Sequence, residues 1–104
     1  MSIGFSLHSA LSPSETLQRI EQARLKYGEV LRYFWISEVG EAGKFTRESD
    51  ADYGFATQST FFMQWTGEHS EFIRRIPPVF HEIFGKDNIL LYDDTCDPVP
   101  PPSD

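Results

Sequence analysis

Three histidines (His8, His69 and His81) and a single cysteine, Cys96, are the side chains here best suited to acid–base, nucleophilic or metal chemistry. A helical zinc pair needs histidines at i and i+4, and no two of these have that spacing. His69 and His81 are separated by Pro77-Pro78, which leaves their relative direction undefined. His8 lies on the polar side of an alternating segment. Cys96 sits within Asp93-Asp94-Thr95-Cys96-Asp97, where acidic neighbours disfavour the thiolate that a nucleophile requires. The same carboxylates offer oxygen donors, but fewer than a calcium loop needs and without its glycine turn. No glycine-rich phosphate loop, GxSxG elbow or HExxH pair occurs. No catalytic residue, metal site or cofactor is assigned on these grounds, and the balance leans away from an enzyme.

Charge is more informative. Of 16 acidic and 9 basic residues, which give a formal charge of −7, residues 38–52 hold Glu38, Glu41, Glu48, Asp50 and Asp52 against Lys44 and Arg47. The last twelve residues hold four aspartates and no base. The rest of the chain is neutral, so the whole excess lies in one segment and the C-terminal tail. A nucleic-acid binder normally presents a basic face to phosphates, and the balance here runs the other way. Exposed charge of one sign steers association with a partner of the opposite sign. The plainer alternative is a solubilising loop and tail.

These residues must be held by a small fold. A chain of 104 residues suits one domain, with enough buried surface to dispense with disulfides or metals. It contains no apolar run long enough to cross a bilayer and no secretory-type start, so a cytoplasmic protein without membrane contact is expected. Residues 3–10 alternate as a half-buried strand. Ser12-Pro13-Ser14-Glu15 is a capping-box helix start, and Gly28 is placed to end a helix over 13–27. Residues 30–37 are β-branched and aromatic, with apolar groups on both faces. Residues 38–52 read as a polar loop and 53–65 as a long strand. A helix over 68–84 is interrupted at Pro77-Pro78, and residues 88–92 form a last strand. The domain therefore covers 1–93, and 94–104 form an acidic, proline-rich disordered tail. The order strand, helix, strand, strand, helix, strand implies an α+β ferredoxin-like βαββαβ sandwich. Its four-stranded antiparallel sheet carries two helices on one face.

The segment FFMQWTGEHSEF, residues 61–72, resembles the middle of dimeric ferredoxin-like proteins of the antibiotic-biosynthesis-monooxygenase type. That resemblance implies a dimer holding a small ligand between sheet and helices, with Trp35, Trp65 or His8 at the rim of the cavity. It transfers no catalytic residue.

Two helices can cover only one face of such a sheet, and strand 30–37 is apolar on both. An aromatic second face left wet would be an unusually large patch for a monomer. The leading expectation is a small acidic protein-binding module, an immunity protein or inhibitor covering a basic surface on a partner protein. Glu41, Glu48, Asp50 and Asp52 would supply the charge, and Tyr33, Trp35 and Trp65 the anchors. A dimeric small-ligand enzyme and a structural homodimer are the alternatives.

Overall fold

The computed structural model describes residues 3–93 and the backbone of residues 98–99. Strand β1 (Gly4–Ser9) alternates in burial as its sequence requires, with Phe5, Leu7 and Ser9 inward and Ser6 and His8 outward. It is paired on both sides, antiparallel to β4 (Ser59–Trp65) and to β5 (Ile89–Tyr92). The register stacks Leu7 between Phe61 and Leu91. One residue further, His8 lies between Thr60 and Leu90 on the opposite face. A slip by one residue would turn all the apolar groups to water, so this alternation fixes the pairing.

Helix α1 (Pro13–Leu31) begins as the capping motif requires: Ser12 Oγ accepts from the Glu15 amide at 3.3 Å, and proline occupies the first turn. It does not end at Gly28. The backbone leaves helical geometry at Tyr27 (φ −124°, ψ 31°) and then resumes for another turn. That turn buries Val30 and Leu31 at 0% and 3% exposure, so core burial outweighs the local stop signal. The expected strand 30–37 consequently shrinks to β2 (Phe34–Ile36), and the expected strand 53–65 to its second half, β4. The interrupted helix over 68–84 is a 3₁₀ turn (Ser70–Arg75) followed by α3 (Ile76–Phe84). The 3₁₀ turn enters through His69, held at φ 58°.

The fold class is α+β with an antiparallel sheet, as expected. The four-stranded layout is corrected, because with β3 (Gly40–Glu41) and β6 (Pro98–Val99) the sheet runs β2–β4–β1–β5–β6, with β3 also on β4. The two additions are two residues each and occupy edges that would otherwise present unpaired backbone groups. A disordered tail over 94–104 concerns residues outside those described, apart from β6.

Helices α1 and α3 close one face of the sheet over a core that includes Leu7, Ile20, Met63, Ile76, Phe80 and Leu91. At one end of this layer Thr16, Ser9 and Ser59 bury three hydroxyls. Each is satisfied, by contacts of 2.8 Å from Thr16 to Ser9 and 2.7 Å between Thr16 and Ser59.

One buried polar group is not satisfied. His81 on α3 is 6% exposed, and its Nδ1 has no partner among the described residues. Burial pushes its imidazole below the ordinary histidine value, with the Pro77 carbonyl opposing. The unfolded chain takes up a proton near pH 6.5 that the folded chain resists, so stability present above that pH is lost as pH falls below it. The substitution His81→Leu should flatten the stability profile between about pH 5 and 6.5. Urea denaturation at both pH values reads this, and an unchanged slope would assign the acid sensitivity to another group.

Candidate partner-binding site

The acidic segment is not a loop. After β3, the chain crosses to the sheet face opposite α1 and α3 and forms α2 (Lys44–Ala51). Nothing apolar holds this helix down, since Asp50 is its buried residue. At 1% exposure, the Asp50 carboxylate accepts from three side chains. His8 Nδ1 lies 2.5 Å away and the Tyr92 hydroxyl 3.0 Å, and Thr57 Oγ1 completes the set. The Asp50 carbonyl also accepts the amides of Tyr53 and Phe55, which fastens the turn that follows. A buried carboxylate is tolerable only with such a full complement of donors. One acidic residue thus ties α2 to β1 and β5. Burial first, and then the carboxylate it binds, holds the Tyr92 hydroxyl well above the usual tyrosine range, so it serves as a donor.

Between α2 and the sheet lies a cleft of about 450 Å³. His8, Tyr92 and Asp93 line it from the sheet, and Phe45, Ser49 and Tyr53 from the helix side. Phe45, Ser49 and Tyr53 recur every four residues, which puts them along one face of α2 and its continuation. The two rings are exposed, at 86% for Phe45 and 63% for Tyr53. Glu48 and Asp52, three and seven residues beyond Phe45, run along the adjacent flank and are also exposed. Among the described residues no group of three or more His, Cys, Asp or Glu could hold a metal ion. Among those residues no helix is long and apolar enough to cross a membrane. Asp94 to Asp97, the other carboxylate cluster in the sequence, lies outside the described residues.

The expected site residues are only partly brought together. Glu41, Glu48 and Asp52 are exposed, Glu48 and Asp52 along α2 and its end, and Glu41 on the short edge strand opposite Ser59. Asp50 is corrected: it is not an exposed rim charge but faces inward as the anchor of α2, at the floor of the cleft. Trp35 is 54% exposed on the outer face, where its ring meets Phe62 edge-on at 5.5 Å. Tyr33 and Trp65 are not on that patch. Tyr33 packs against His69 at 4.4 Å and Phe72 at 5.6 Å. Trp65 is partly buried on the helix-covered side, with Nε1 donating to the Glu68 carbonyl at 2.7 Å. Of the residues expected to rim a cavity between sheet and helices, His8 lines the α2 cleft, which lies on the other face, and Trp35 and Trp65 do not. Phe45, Tyr53 and Tyr92 were not singled out by the sequence. The spacing of Phe45, Ser49 and Tyr53 around a central acid is the signal that would have found the first two.

No curated protein sequence matches the chain. Among solved structures it resembles "CdiA-CT/CdiI toxin and immunity complex from Burkholderia pseudomallei" with a TM-score of 0.83 and 19% identity, covering 92% of this chain and 95% of that one. At that identity the likeness establishes the fold. A family model described as "CDI System Immunity Component" matches residues 1–97. The chain belongs to the CDI immunity component family.

Proposed function

We propose that this chain is an immunity protein that acts in the cytoplasm by binding a toxin domain, and that the toxin surface it covers is basic. The observation that carries this reading is the family match over residues 1–97. A partner of the toxin class is supported by the solved complex that the fold resembles. The face bearing α2 suits such a partner, since it combines exposed Glu48 and Asp52 with the exposed rings of Phe45, Tyr53 and Trp35, and Glu41 adds charge at the neighbouring edge. Rim charges mainly raise association rates, whereas aromatic anchors slow dissociation.

Stopped-flow binding to the cognate toxin domain separates these roles. Replacing Glu41, Glu48 and Asp52 together by their amides should slow association at low salt by roughly tenfold and flatten its salt dependence. An unchanged rate and salt slope would make these acids solubilisers and end the basic-partner reading. The Trp35–Phe62 pair also favours a homodimer through that edge of the outer face. A monomer by sedimentation at high concentration would remove that second reading.

A further inference from the structure

We infer that the cleft between α2 and the sheet receives an arginine side chain of the toxin, with its guanidinium laid against the Phe45 and Tyr53 rings above the Asp50 carboxylate. This inference rests on the immunity reading and names the contact through which the toxin is held. Four observations converge on it.

The lining includes the carboxylates of Asp50 and Asp93 and contains no lysine or arginine. Glu48 and Asp52 add two more carboxylates along the flank of α2, with Lys44 one turn before Glu48 at its start. With His8 as the one basic side chain in the lining, and that one engaged by Asp50, the charge of the cleft favours a cation.

The Asp50 charge is held in place before any ligand arrives. Thr57 and Tyr92 are neutral hydroxyl donors, and with His8 they fix the carboxylate at the floor. A charge oriented in advance needs no rearrangement on binding.

Phe45 and Tyr53 leave most of their ring area in water on either side of Ser49. Large exposed rings beside a cleft mark an interaction site more often than chance exposure does. A flat, weakly hydrated guanidinium stacks on such rings and points donors at carboxylates in the same pose, which a compact ammonium cannot do.

The volume fits as well. About 450 Å³ lies within the range of roughly 300–1,000 Å³ typical of ligand sites, enough for one long side chain with its solvent.

The test uses the full chain and the cognate toxin domain, with affinity measured for five variants whose folding is first checked by circular dichroism. Ser49 is exposed and lines the cleft, so Ser49→Arg places a guanidinium of the chain's own in the cavity. That change should weaken toxin binding by about a hundredfold, on the scale of a central interface contact. Ser49→Asp should leave affinity equal or tighter. Phe45→Ala and Tyr53→Ala should each weaken binding by about tenfold or more. Leu25→Arg, on a fully different surface at 89% exposure, should change nothing. If Ser49→Arg and the two ring truncations bind within twofold of the parent, the cleft inference is overturned while the immunity reading stands. If Ser49→Asp weakens binding as much as Ser49→Arg, the cleft is a contact but not a cation site, and the inference fails. If the parent chain does not bind the toxin at all, both readings fall together.

Discussion

Asp50→Ala is expected to free α2 from the sheet while β1, β4 and β5 remain folded. The truncation removes the acceptor for His8, Thr57 and Tyr92 in one step. Breaking a buried polar pair by deleting one partner costs about 3–5 kcal/mol when the structure cannot relax. Here it can relax, because α2 buries Asp50 and nothing apolar. The loss is therefore limited to the docking free energy of this helix, and it surfaces as local opening. Hydrogen exchange should show amides of residues 44–53 approaching full exposure, with the β1 and β4 ladder still protected. Toxin affinity should drop at least tenfold, since the ordered face must be rebuilt on binding. Uniform loss of protection across the sheet would instead make α2 an integral part of the core.

Phe80→Ala should produce the opposite pattern, a global loss of stability with the binding face intact. Phe80 is fully buried and packs its ring against Phe61 at 5.9 Å and Phe84 at 6.0 Å. Truncating a buried phenylalanine costs about 3–5 kcal/mol through lost contacts and the cavity left behind. For a domain of this size that lowers Tm by on the order of 15–30 °C. At a temperature where the variant is still folded, its toxin affinity should match the parent's. A weakened affinity under those conditions would bring the helical layer into the interface.

The two substitutions also mark which parts of the fold the sequence made legible. Elements that bury apolar groups at a regular period were readable: β1 through Phe5 and Leu7, the start of α1 through Ser12 and Glu15, and β5 through Ile89 and Leu91. The α2 helix was not, because a helix fastened by a single aspartate has no apolar stripe, and its composition reads as a loop. Val30 and Leu31 misled in another way. Val30 favours strands and its aromatic neighbours reinforce that reading, but both residues fill the core from the last turn of α1, and burial overrides propensity. In the site, the exposed acids Glu41, Glu48 and Asp52 were readable as charge. Asp50 looked the same in sequence, and only its three donors, drawn from β1, β5 and residue 57, distinguish an anchor from a surface charge. Trp35 stands exposed on the outer face, while Tyr33 and Trp65, grouped with it in sequence, are sent elsewhere by the pleat and the chain reversal.

Protection of cells tests the central claim most directly. The cognate toxin domain is induced in cells that also make this chain, or its Ser49→Arg variant, at equal soluble levels. Growth should continue with the parent chain and stop with the variant, and purified parent chain should abolish the toxin's activity at one-to-one stoichiometry. Growth arrest despite abundant soluble parent chain would contradict an immunity function for this protein.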